Sequence, residues 1–201
     1  PAVTLKTLQE FLKWTTGLGM TATSQGRIIS GIRAFYKYLT IEDIIEENPA
    51  ELLESPRITR KLPDVLSVEE INKIADAIDR STPGGERNKA IVEILYGCGL
   101  RVSELVNLKI HDIHFREGYV RITGKGNKQR LVPMGSYASK HLKIYLEDVR
   151  NRIEVKKGYE DIVFLNKFGK KLSRQMIFMI IQALCKKAGI KKEISPHTFR
   201  H

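Results

Sequence analysis

Residues 119–133 read YVRITGKGNKQRLVP. The run Tyr119-Val120-Arg121-Ile122-Thr123 is rich in β-branched and aromatic side chains, and Gln129-Arg130-Leu131-Val132 alternates after it. Between them lies Gly124-Lys125-Gly126-Asn127-Lys128, a flexible basic turn. The stretch predicts a β-hairpin. It decides the fold class, because almost everything around it repeats with a helical period.

Just upstream, Gly99-Leu100-Arg101-Val102-Ser103-Glu104-Leu105 opens a short helix after a glycine break. A longer helix is expected over about 87–96, closing at Gly97. Ser67-Val68-Glu69-Glu70 is a capping box ahead of Ile71, Ile74, Ala75 and Ile78. The stretch 110–115 offers a third strand. Downstream, a long helix is expected from about 137 to 155 and a turn over 164–169. Ser173 caps a helix with Ile177, Ile180, Ile181 and Leu184 inward and Gly189 at its end. Ser195-Pro196 reads as an N-cap followed by proline at the first helical position.

The first block is helical throughout. Leu5, Leu8, Phe11 and Leu12 repeat at helical spacing, and Gly17 and Gly19 break the pattern. Thr23 or Ser24 caps a second helix with Ile28, Ile32, Phe35, Tyr36 and Leu39 on its apolar face and Arg27, Arg33 and Lys37 on the other. A turn over 41–45 precedes Asn48-Pro49. Residues 55–64, SPRITRKLPD, have no period, and their two prolines and three basic residues mark a linker. It is either a solvated connector or a basic strap between two basic domains. The expected architecture is mainly α with a small antiparallel β-sheet, in two domains. Residues 1–54 form a helical domain, 55–64 the linker and 65–201 the second domain.

Over 201 residues, 42% hydrophobic, the chain can bury real cores. Its 34 Lys plus Arg against 23 Asp plus Glu give a net charge of +11. That balance points to a polyanion, most simply nucleic acid, over an acidic lipid surface or a merely basic soluble protein. No apolar run reaches transmembrane length and no signal peptide is legible. Cys98 and Cys185 are isolated in apolar helical contexts and read as small buried hydrophobes in a reducing compartment, so the expected location is cytoplasmic. Both ends, at Pro1 and His201, read as cut.

Four side chains could carry chemistry. Arg101 opens a helix after tight glycines, with Glu104 three residues on. It is either aimed at a bound anion or half of a surface ion pair. Lys125 sits at a hairpin tip, either presenting an ammonium to a phosphate or solubilising the turn. The tip is not a P-loop, since it lacks that motif's spacing. His197 and Arg200 share a helical face near a positive helix end, an arrangement that suits an oxyanion. His197 and His201 also stand at i,i+4, which would suit zinc. Thr198 occupies the place where the zinc-protease pattern needs Glu, and Arg200 would repel a cation.

In this order, GLRVSEL, the hairpin TGKGNKQRLVP, LSRQ before an amphipathic helix, and ISPHTFRH resemble the tyrosine recombinase (phage integrase) family. The likeness is greatest to its Xer-type site-specific recombinases, which resolve chromosome dimers. It runs over about 66–201, and the helical block before it is similar to the family's core-binding domain without a first helix. The resemblance implies that Arg101, Lys125, His197 and Arg200 are catalytic. It also implies that a second His or Trp and the nucleophilic Tyr lie beyond His201, since none of the seven tyrosines stands where the family places a nucleophile.

In the family a tyrosine attacks a DNA phosphate, giving a 3′-phosphotyrosyl link and a free 5′-hydroxyl that later attacks the partner strand. The resemblance therefore implies no cofactor, no metal and no small-molecule substrate. It implies a duplex DNA partner held in a clamp between the two domains, and a homo- or hetero-tetramer in the full-length protein. Arg27, Arg33, Lys37, Lys128 and Arg130 are the candidate DNA contacts. Three other readings remain open at this point: a type IB topoisomerase, a non-catalytic DNA-binding module that keeps the recombinase fold, and a helical protein-interaction domain.

Overall fold

A computed structural model of the chain describes residues 3–57, 65–82, 84–192, 194, 196 and 198–200, with Lys125 and Arg200 described by their backbones alone. The linker residues 58–64 therefore lie outside the described residues. The chain divides into two compact units, Pro1–Leu62 and Pro63–His201.

The first unit is a helical pair. α1 (Leu5–Gly17) is capped by Thr4, whose hydroxyl accepts from the Thr7 N–H at 3.3 Å. α2 (Ala22–Ile41) is capped by Thr21, whose hydroxyl accepts from the Ser24 N–H, so the cap lies ahead of the expected Thr23 or Ser24. Gly19, with φ at +78°, turns the chain early and leaves Thr21 as the last extended residue. The inward face also differs from expectation. Gln25 and Ile29 are buried, and Ile32 and Tyr36 pack against the core, while Phe35 is 56% exposed. Apolar residues are spread around much of α2, and packing against Leu8, Ala50 and Leu53 selects the arc. Gln25 Nε2 donates to Thr16 Oγ1 at 2.6 Å and ties the two helices together.

The second unit is built around α4 (Gly85–Gly97), in which Ala90, Ile91, Val92, Ile94 and Leu95 have no exposed surface. Gly85 allows the close approach that starts this helix, since a Cβ there would lie 2.2 Å from the Asp79 carbonyl oxygen. α3 (Val68–Asp76) has the expected capping box, with Ser67 and Glu70 bonded reciprocally at 3.2 and 2.8 Å. α5 (Val102–Val106) follows α4 directly. The small sheet is antiparallel in the order β1 (Ile113–His114), β2 (Tyr119–Thr123), β3 (Gln129–Pro133). Only two residues of the stretch 110–115 are strand, because Ile110–Asp112 form a 3-10 turn.

The long helix expected over 137–155 changes character. α6 (Ser136–Ile144) runs into a π turn at Tyr145–Val149 and a 3-10 turn at Arg150–Arg152. The Arg150 N–H bonds to the Tyr145 carbonyl, five residues back. The wider turn brings both side chains to one segment. Tyr145 Oη accepts from the Leu165 N–H at 3.1 Å, and the buried Arg150 donates to the Ile162 carbonyl at 2.9 Å and the Glu160 carbonyl at 2.6 Å. Val163, Phe164 and Leu165 are consequently core, and the turn expected over 164–169 begins only at Asn166. α7 (Arg174–Lys187) is capped by Ser173 and buries Ile177, Ile181, Leu184 and Cys185. Both cysteines are buried and unpaired, as the sequence suggests.

Candidate functional site

The site begins where α4 gives way to α5. Gly99 takes φ +55°, Leu100 is buried, and Arg101 is the extended N-cap residue of α5. Glu104, at the third helical position, turns back on that start. Its Oε2 accepts from the Arg101 N–H at 2.8 Å and its Oε1 from Arg101 Nη1 at 3.0 Å. The pair is not the surface ion pair that the spacing alone allows: the Glu104 side chain is 3% exposed and that of Arg101 is 51% exposed. A buried carboxylate thus steadies a guanidinium that still faces outward.

A second arginine holds the same carboxylate. Arg130 on β3 donates from Nη1 to Glu104 Oε1 at 2.8 Å and from Nη2 to Oε2 at 2.9 Å, a parallel fork. Burial pushes the Glu104 carboxyl up more than any other single influence. The hydrogen bonds from Arg130 and from the backbone and side chain of Arg101 together outweigh it and pull the group down to about 2. Sequence reasoning placed Arg130 among the DNA contacts and did not foresee this pairing. The signal was present: in the sheet register Arg130 stands opposite Ile122 and Val132 opposite Val120, both of them buried. Strand alternation thus puts Arg130 on the inward face, where a charge needs a partner.

The hairpin root adjoins this cluster. The Gly124 N–H closes the turn on the Lys128 carbonyl at 2.8 Å, and a Cβ at Gly124 would lie 3.9 Å from Glu104 Oε1. Lys125 is the next residue, at the start of a short turn in which Gly126 and Asn127 both take positive φ. Its side chain lies outside the described residues; Lys128 is exposed. The segment that follows α7 is anchored by Gln182, whose amide donates to the Ile194 carbonyl. Thr198–Arg200 form a 3-10 turn that packs beside α4, with Phe199 buried. α4 therefore adjoins both this turn and the helix that Arg101 caps. Ser195, His197, His201 and the Arg200 side chain lie outside the described residues, and with them the expected cap and the alternative zinc pair.

In the first unit Arg27 and Lys37 are exposed on α2 and have no hydrogen-bond or ion-pair partner among the described residues. Arg33 behaves differently: its guanidinium turns back to the Leu53 carbonyl and to Ser55 Oγ, the latter at 3.4 Å. Among the described residues no helix is long and apolar enough to cross a membrane.

Residues 64–201 match the family model described as the phage integrase family. The chain belongs to that family. This phage integrase chain is 39% identical over 191 residues to the tyrosine recombinase XerD of Listeria monocytogenes, covering 95% of the chain and 64% of that protein. It is 40% identical over 194 residues to XerD of Staphylococcus aureus, covering 96% of the chain and 65% of that protein. It thus spans about 64% of the length of the curated relatives it matches. Among solved structures, the XerH site-specific recombinase bound to palindromic difH substrate in a post-cleavage complex superposes with a TM-score of 0.78 at 26% identity. That match covers 99% of this chain and 57% of XerH.

Proposed function

We propose that the protein is a site-specific DNA recombinase that cuts and rejoins strands through a 3′-phosphotyrosyl intermediate, in chromosome-dimer resolution or in integration and excision. The observation that carries the proposal is the outward-facing Arg101, fixed by a buried Glu104 beside the root of the Lys125 hairpin. The family membership and the likeness to XerD support it.

Each residue has a role in this reading. A phenol oxygen attacks the phosphorus in line, a P–O bond to tyrosine forms, and the bond to the 5′-oxygen breaks. Negative charge gathers on the two non-bridging oxygens, which suit the planar forks of Arg101 and Arg200. Lys125 gives a proton to the leaving 5′-oxygen, and His197 donates to a phosphate oxygen or takes the phenol proton. The phosphoryl bond is conserved in the covalent link, and the freed 5′-hydroxyl of a partner strand reverses the step. Arg27, Lys37 and Lys128 grip the DNA backbone, in the cytoplasm, within a tetramer that holds two duplexes.

None of the seven tyrosines is assigned as the nucleophile. Tyr145 is fully buried and holds the Leu165 N–H. The 201-residue chain alone is thus expected to bind DNA without a covalent link, since positioned attack supplies much of the rate. The test is a suicide substrate nicked near the cleavage site, resolved on a denaturing gel. The full gene product should give a shifted band, and Arg200→Ala should abolish it while most DNA binding stays. Binding with no band from the full gene product would favour a DNA-binding module that keeps the recombinase fold.

A further inference from the structure

We propose that Arg130 is a positioning residue for strand cleavage: it holds Glu104 so that Arg101 and the root of the Lys125 hairpin keep one fixed geometry. The inference rests on the recombinase reading above.

Glu104 accepts four hydrogen bonds, two from each arginine, but the two arginines hold it differently. Arg130 gives both terminal nitrogens of its guanidinium, one to each oxygen. Arg101 gives its backbone N–H and only one guanidinium nitrogen. The rest of the Arg101 fork stays available on a side chain that is half exposed. Without Arg130, a buried carboxylate would be left with Arg101 as its one cationic partner. The Arg101 guanidinium would then turn onto both oxygens, and its donors would leave the phosphate side. Arg130 therefore keeps Arg101 free by satisfying Glu104 first.

The same side chain ties down the hairpin. Arg130 faces Ile122 in the β2–β3 register, two pairs from the turn's closing bond between Gly124 and Lys128. A Cβ at Gly124 would lie 3.7 Å from Arg130 Nη1 and 3.9 Å from Glu104 Oε1. The ion pair thus straps the hairpin root to the helix that Arg101 caps. A lysine at position 130 could not reproduce it, since one ammonium cannot span both oxygens in a parallel fork.

Two chemical substrates separate this role from a merely structural one. In the full gene product, adduct formation is measured on a nicked substrate with an ordinary bridging 5′-oxygen and on one with sulfur in its place. A departing thiolate needs no proton, so the sulfur substrate does not depend on Lys125. Arg130→Ala should slow adduct formation on the oxygen substrate by about 10- to 100-fold, and sulfur should restore the part of the loss that passes through Lys125 while leaving the part that passes through Arg101. Arg130→Lys should fall between wild type and Arg130→Ala, and it serves if Arg130→Ala does not fold. Adding Glu104→Gln to Arg130→Ala should recover thermal stability, because the uncompensated charge is gone. A loss below about twofold on the oxygen substrate overturns the proposal, an equal loss on both substrates overturns its hairpin half, and complete rescue by sulfur overturns its Arg101 half. If the wild-type gene product forms no adduct on either substrate, the recombinase reading itself fails and takes the role of Arg130 with it.

Discussion

In the Pro63–His201 unit, a carboxylate with 3% of its side chain exposed gathers two arginines. In the Pro1–Leu62 unit, no arginine or lysine among the described residues has a carboxylate partner. Arg33 leans on neutral oxygens, and Arg27 and Lys37 stand in solvent. In the proposed recombinase reading, the difference separates two uses of positive charge. Gripping a transferring phosphoryl group needs a guanidinium whose direction is set before the substrate arrives, and a buried acid sets it. Gripping a DNA backbone needs only number and proximity, because each neutralised phosphate releases counterions whatever the side chain's rotamer.

The largest effect should fall on the ordered arginine. Arg101→Ala in the full gene product should lower covalent adduct formation by about 10²- to 10³-fold, while DNA affinity changes little. Arg27→Ala should do the reverse, with weaker binding and an unchanged adduct rate once DNA is saturating. Gel-resolved adduct kinetics at saturating DNA test both. An equal kinetic loss from Arg27→Ala would dissolve the distinction between the two regions.

The acid that does the ordering should show itself in the pH dependence of stability. Glu104 titrates at about 2 in the fold against an ordinary value of 4.5. Because the folded value is the lower one, its contribution is complete above about pH 4.5 and is lost as pH falls toward 2. The loss over that window should be about 3 kcal/mol. Denaturant melts of wild type and Glu104→Gln at pH 6 and pH 2.5 should therefore converge at the acid end. A stability gap that does not narrow would mean that Arg130 and Arg101 do not hold Glu104 as a carboxylate.

Much of this corner was legible in sequence, and the rest was hidden for identifiable reasons. GLRVSEL places Arg101 and Glu104 on one helical face, and the glycine break announces the helix start. The spacing says nothing of burial, so a surface pair and an anchored one look alike. Arg130 is obscured by its neighbours: in a basic hairpin every cation reads as a phosphate contact, and the register that turns it inward with Val132 shows only in the folded sheet. On α2 the apolar arc was too broad for a single face to be chosen, and Phe35 was assigned inward although Ile29 holds the core position. The π turn at Tyr145–Val149 leaves no mark on local periodicity, because its cause is a backbone segment reached by Tyr145 and Arg150 only after folding.

Within α2 the comparison narrows to Arg33. Its guanidinium donates to the Leu53 carbonyl, which closes the small core of Leu8, Ile29, Ala50 and Leu53. Arg33→Ala should destabilise the first unit by about 1 kcal/mol, read as an earlier local transition by hydrogen exchange of the amides near Leu53. Arg33→Lys should recover only part of this, since one ammonium cannot reach both the carbonyl and Ser55.

The smallest effects should come from Arg27 and Lys37, and they are informative because they are small. Both side chains are exposed and have no partner among the described residues, so Arg27→Ala and Lys37→Ala should leave stability within about 0.5 kcal/mol of wild type. If the whole chain neutralises about six phosphates, log K for duplex DNA should fall against log salt with a slope near −5. Each of these two substitutions should then reduce that slope by about 0.9, while Arg33→Ala, whose charge is engaged with the protein, should reduce it by less. Titrations of all three variants at several salt concentrations measure slope and stability on the same samples. An Arg33→Ala slope change as large as that of Arg27→Ala would mean that the guanidinium leaves Leu53 for DNA on binding. An unchanged slope in both Arg27→Ala and Lys37→Ala would move the DNA-gripping surface off α2 altogether.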